Sequence, residues 1–229
     1  MNNYLKKIVV IGILVVLLTS SVYAIYIPVK GNPNDYTDIK EHWAYNNISY
    51  VISNGFFKGI TKTEFMPNLN MTRATLVTVL WRLTGEDLTY TKTTETGTKK
   101  VNRYVNMFWD MDDDGTYTNY VAWANYNKII SGYSKREFGP DDPITREQLS
   151  TILYNYLKNY KKVRVFDSLK VNEPVTFVDN DMISDWAVEK VSMIQQIGLM
   201  QGREDGTFDP KGFVTRAEVA VVIERLNKM

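Results

Sequence analysis

The chain has no cysteine and a single histidine, His42. Without cysteine there is no disulfide framework, no thiolate zinc site and no cysteine nucleophile. One histidine leaves no imidazole cluster for a metal and no second candidate base around it. Charge of one sign is also missing, because 27 lysines and arginines face 26 acids for a net charge of +1. That balance excludes nucleic acid or an anionic membrane as the main partner, since both require a basic face. What the chain does have is apolar material. Hydrophobic residues make up 44% of its 229 positions, enough for a packed core.

Residues 1–24 read as an export signal. Lys6 and Lys7 form a basic start, Ile8 to Leu18 an uncharged apolar run, and Val22-Tyr23-Ala24 a cleavage site after Ala24. The competing reading is a retained membrane anchor, because no charge falls between Ile8 and Val29 and such a stretch reaches across a bilayer. Ser20 and Ser21 interrupt the run, which favours cleavage and a secreted mature chain starting at Ile25.

The dominant signal is self-similarity. Counted from Gly59, Gly132 or Gly202, a phenylalanine falls at +6 (Phe65, Phe138, Phe208) and a proline at +8 (Pro67, Pro140, Pro210). A Thr-Arg pair follows at +13 and +14: Thr72-Arg73, Thr145-Arg146 and Thr215-Arg216. Upstream, each copy opens with an aromatic-x-Asp triplet ending at Asp38, Asp110 or Asp179. Trp43-Ala44 and Trp186-Ala187 share one further offset, where the second copy has Thr116-Tyr117.

Each copy reads as helix, loop, helix. Ala44, Ile48 and Val51 recur at helical spacing, as do Ala187, Val191 and Ile194. The second helix starts at the Thr-Arg pair with threonine as its N-cap, and Gln148 or Glu218 completes a capping box in the second and third copies. Thr75 stands there in the first copy, which lacks the box. Second helices carry apolar stripes such as Leu76, Val79, Leu80 and Leu83. A unit this small cannot bury both helices alone, so the expected core is shared, with the second helices at its centre. Residues 84–106 and 158–176 read as polar linkers, the second with a short alternating piece, Val163 to Phe166.

The Tyr/Phe-x-Asp openings, Trp-Ala pairs, Gly-x5-Phe-x-Pro loops and Val214-Thr-Arg-Ala-Glu218 resemble the S-layer homology family. The resemblance covers residues 35–84, 107–157 and 176–229. It implies a mainly α fold, three helix-loop-helix repeats packed as a pseudo-threefold, three-lobed body. It also implies non-covalent binding of a secondary cell-wall polysaccharide, often with a pyruvylated terminal sugar, in grooves between lobes. The implied location is the cell wall or surface layer of a bacterial envelope. The alternative from another class is a structural protein whose lobes bind other surface-layer proteins.

Within that reading Arg73, Arg146 and Arg216 are the first ligand candidates. Helix N-termini offer backbone N–H groups to an anion, and a guanidinium grips a carboxylate bidentately. The bland alternative pairs each arginine with an acid of its own repeat. Lying outside the apolar stripe at an open helix start, each should cost less than about 1 kcal/mol of stability when removed. Asp38, Asp110 and Asp179 accept sugar hydroxyls or cap helices. Trp43 and Trp186 stack on a sugar ring or belong to the core. Gly59, Gly132 and Gly202 complete the expected ligand set. Thr116 leaves one groove without its aromatic unless Tyr117 or Tyr120 substitutes. Asp110 to Gly115 matches half of a calcium loop, but Val121 stands at the twelfth position and the segment reads as an acidic turn. No nucleophile motif, metal site or cofactor is expected, and no enzyme activity.

Overall fold

The computed structural model describes residues 29–113, 115–163 and 171–229. The expected export segment, residues 1–24, lies outside them, as does most of the alternating piece at 163–166. No helix among the described residues is long and apolar enough to cross a membrane.

The described residues form six α-helices: α1 (Tyr45–Ser53), α2 (Arg73–Thr84), α3 (Thr118–Tyr126), α4 (Arg146–Asn155), α5 (Val188–Gln196) and α6 (Arg216–Asn227). Thr72, Thr145 and Thr215 cap the second helix of each repeat, accepting from the backbone N–H three residues on. The capping box is complete at Thr145/Gln148 and Thr215/Glu218, and α2 starts without one. The helix α4 continues into a π-helical turn at Tyr156–Tyr160.

The polar segment between the first two repeats is more ordered than its composition suggests. It folds into an antiparallel hairpin, β1 (Thr89–Thr94) with β2 (Gly97–Asn102), in register Thr89 to Asn102. The chain is therefore helical with a small sheet added. Threonine favours the extended backbone, and the hairpin's base is held by Arg103 N–H donating to Leu88 O at 2.7 Å.

Helices pair between repeats. The helix α2 packs on α3, α4 on α5, and α6 on α1. Each pair joins the second helix of one repeat to the first helix of the next, and the last pair joins the third repeat back to the first. This differs from the expected arrangement, in which second helices meet at the centre. What meets there is the backbone just before them. Met71 N–H donates to Val214 O (2.8 Å), Val214 N–H to Ile144 O (3.0 Å), and Ile144 N–H to Met71 O (2.9 Å). The three bonds close a ring. The side chains of Met71, Ile144 and Val214 are fully buried, with Phe65, Phe138 and Phe208.

Candidate functional site

The three arginines are placed by this ring. Arg73 of the first repeat reaches into the loop of the second, donating from Nε to Phe138 O (2.9 Å) and from Nη2 to Ser131 O (2.7 Å). Arg146 does the same to Phe208 O (2.6 Å) and Gln201 O (2.7 Å) of the third repeat. Arg216 closes the cycle on Phe65 O (2.9 Å) and Lys58 O (2.8 Å) of the first. Each guanidinium also lies 4.5–4.9 Å from the ring of the phenylalanine whose carbonyl it holds. They are 3–7% exposed. Desolvation lowers the pKa of all three, that of Arg216 to about 10.

Two expectations therefore need correction. The helix starts are not open, because carbonyls of the next repeat already accept their first N–H groups. Arg73 N–H donates to Asp142 O and Ala74 N–H to Pro140 O, with equivalent bonds from Arg146 to Gly212 O and from Arg216 to Leu69 O. Nor are the arginines solvent-reachable residues of small structural value. Removing one strands the buried phenylalanine carbonyl and unties a second, part-buried one, which costs more than a surface substitution. Among the described residues none pairs with an acid of its own repeat; the partners are main-chain oxygens of a neighbouring repeat, joined at Arg146 by the neighbour's Glu218.

The aspartates cap no α-helix. Asp38 accepts from Phe65 N–H (2.9 Å) and Met66 N–H (2.7 Å), Asp179 from Phe208 and Asp209, and Asp110 from Phe138 and Gly139. The second residue of each pair has positive φ: 58° at Met66, 71° at Gly139 and 56° at Asp209. Consecutive N–H groups in such a turn form a small anion cradle, and the repeat's own carboxylate fills it. Each buried phenylalanine is thus held from both sides, its N–H by the aspartate and its C=O by the arginine. Asp110 is engaged this way, and Asp114 of the half calcium loop lies outside the described residues.

The glycines answer to packing. A Cβ on Gly132 would meet Phe108 Cε1 at 2.6 Å and Ser134 O at 2.7 Å, and one on Gly202 would meet Phe177 Cε1 at 2.7 Å. The aromatic that opens each repeat lies against the glycine of the same repeat.

The tryptophans stay outside this scaffold. Trp43 is 69% exposed and Trp186 48%. Trp43 lines a cavity of about 210 Å³ with Arg146, Gly202, Glu218 and Arg225. One candidate from each repeat therefore meets in one groove: Trp43 from the first, Arg146 from the second, Gly202 from the third. Glu218 Oε1 lies 3.5 Å from Arg146 Nη1 and 3.9 Å from Arg203 Nη1. Sequence reasoning expected grooves between lobes but did not say which candidates share one, and it passed over Arg225, because a groove shared among repeats has no signature in any one of them. At the position lacking tryptophan, Thr116 is exposed, Tyr120 stacks on Trp81 at 4.4 Å, and Tyr117 lies within electrostatic reach of Arg216.

The repeats match the S-layer homology domain at residues 35–76, 109–150 and 168–220. The chain belongs to the S-layer homology family. Among its relatives, an amylopullulanase of Thermoanaerobacterium thermosulfurigenes is 32% identical over 191 residues, 82% of this chain and 9% of that protein. A cellulosome-anchoring protein of Acetivibrio thermocellus is 27% identical over 174 residues, 74% of this chain and 35% of that protein. The S-layer protein sap of Bacillus anthracis is 25% identical over 228 residues, 99% of this chain and 25% of that protein. The S-layer homology chain thus spans about a third of its curated relatives' length or less.

Proposed function

We propose that this chain binds a cell-wall polysaccharide non-covalently and holds its bearer at the bacterial surface, without catalysing a reaction. The cyclic contacts serve as the frame of a three-lobed body, and its grooves take anionic, pyruvylated sugars of a secondary wall polymer. The observation that carries the reading is the groove where exposed Trp43 stands beside Arg146, Glu218 and the Gly202 backbone. A flat aromatic face beside charged and main-chain hydrogen-bonding groups suits a sugar ring. The relatives support anchoring over a shared catalytic role, since their names span a polysaccharide hydrolase, an anchoring protein and a surface-layer protein.

One observation favours the other reading, a protein partner in the surface layer. Val105, Met107 and Trp109 expose 81%, 59% and 69% of their surfaces along one segment, with buried Phe108 among them. Exposed apolar stripes of this kind mark protein contacts. Sedimentation with protein-free bacterial walls, before and after extraction of the secondary polymer, separates the two. Binding that disappears with the polymer supports the first reading, and Trp43→Ala should weaken it. Binding to neither wall preparation removes it.

A further inference from the structure

The hairpin β1–β2 lies between the first two matched repeats and outside the cyclic frame. Of its strand residues only Thr89 and Val101 are partly covered, and the others are exposed. A two-stranded hairpin with no face against a core is marginal in water, and a further strand is what stabilises it.

Hydrogen-bond parity shows where a further strand can join. Facing residues in an antiparallel pair alternate between bonded and non-bonded. Arg103 N–H donates to Leu88 O, so the bonded positions on β1 are Leu88, Tyr90, Lys92 and Thr94. Thr89, Thr91 and Thr93 therefore turn their N–H and C=O groups away from β2, as Thr98, Lys100 and Asn102 turn theirs away from β1. The base of the β1 edge is already engaged. Thr89 N–H donates to Asp87 Oδ1 (2.8 Å), and Thr89 O lies 3.5 Å from Arg103 Nη2. Among the described residues, the outward main-chain groups of Thr91 and Thr93 have no partner.

Charge selects the edge and its occupant. Lys92 is the one charged residue of β1, whereas β2 carries Lys99 and Lys100. Two β2 edges meeting antiparallel about a two-fold axis oppose Lys100 to Lys100, or Lys99 to Lys99, in the registers that pair most of the strand. Like charges directly opposite repel. Two β1 edges with Thr91 on the axis instead place Lys92 opposite the second copy's Tyr90, and Thr89 opposite its Thr93. Each Thr91 then exchanges two N–H···O bonds with its counterpart. Each Thr93 N–H reaches the second copy's Thr89 O, whose other lone pair is free for it. Thr89 N–H stays on Asp87. Sliding the register by two residues towards the turn would bring Lys92 onto Lys92.

We propose that the β1 edge is a contact between two copies of this chain, joined antiparallel about Thr91 into a four-stranded sheet. The contact is small, so the association is weak and depends on concentration.

Sedimentation velocity of the full chain, from micromolar to millimolar, is the test. The parent's sedimentation coefficient should rise towards that of a dimer. Thr91→Pro removes an outward N–H and no bond of the hairpin, a position where an edge strand tolerates proline. It should stay monomeric. Lys100→Pro makes the same change on the β2 edge and should associate like the parent. Tyr90→Glu puts a carboxylate opposite each Lys92 and should lower the dimer Kd roughly threefold. A melting curve on each variant registers any loss of fold. A parent that stays monomeric throughout, or a Thr91→Pro chain that associates like it, overturns the proposal. So does a Lys100→Pro chain that fails to associate, because the contact then needs the hairpin but not this edge. A Tyr90→Glu chain that associates less tightly than the parent overturns the Thr91-centred register.

Discussion

Arg73, Arg146 and Arg216 each commit two guanidinium nitrogens to carbonyls 55 to 158 residues away in sequence. A lysine keeps the charge but makes no fork. Arg73→Lys and Arg146→Lys should therefore each lower stability by about 1–3 kcal/mol, read as a lower urea midpoint at unchanged slope. The glycines are as constrained, for a steric reason. Gly132→Ala drives a methyl into Phe108 and the Ser134 carbonyl, and should cost about 1–3 kcal/mol in the same measurement. The threonine caps and the glycine-to-arginine offsets were legible in the sequence because they are local. The partners of the arginines were not. Nothing in Val-Thr-Arg reveals that the guanidinium is satisfied by main-chain oxygens of another repeat.

Among the elements, the hairpin β1–β2 and the end of α2 carry features outside the repeat. The hairpin is almost wholly exposed and its base residues already meet. Replacing residues 89–102 by two glycines should leave the melting temperature within about 4 °C of the parent, by calorimetry. Read from sequence, this stretch was a linker, because its charge and threonine content hid a strand register that buries nothing. Just before it, Glu86 accepts from Trp123 Nε1 (2.9 Å), Tyr160 OH (2.9 Å) and Tyr104 OH. Burial is the leading cause that raises the Tyr160 pKa to about 12, and it raises those of Tyr104 and Tyr156 further. The ordinary value is 10.0. Above pH 10 the unfolded chain ionises these phenols while the folded chain does not, so stability present below pH 10 is lost as pH climbs towards 12. The three buried arginines, Arg216 lowered to about 10 and Arg73 and Arg146 lowered by the same desolvation, work in the opposite sense and make the fall shallower. Melting temperature should fall between pH 9 and pH 11, and Tyr160→Phe should make that fall shallower.

At the scale of the whole molecule, the pairing of α6 with α1 and of Arg216 with Lys58 and Phe65 joins the third repeat to the first. The third repeat alone, residues 176–229, lacks both the helix on which α6 packs and the carbonyls that Arg216 requires. It should show no cooperative melting transition by circular dichroism. The same closure separates two jobs, since arginines hold the repeats together while the exposed Trp43 faces the groove. The most direct test is the thermal melt of the parent, Trp43→Ala and Arg216→Ala, each with and without soluble secondary wall polymer. Polymer should raise the parent's melting temperature, because it binds only the folded chain. Trp43→Ala should melt within about 2 °C of the parent and lose most of that rise, whereas Arg216→Ala should melt more than about 4 °C lower before any polymer is added. An Arg216→Ala chain that melts like the parent, or a Trp43→Ala chain with the full rise, would contradict the account.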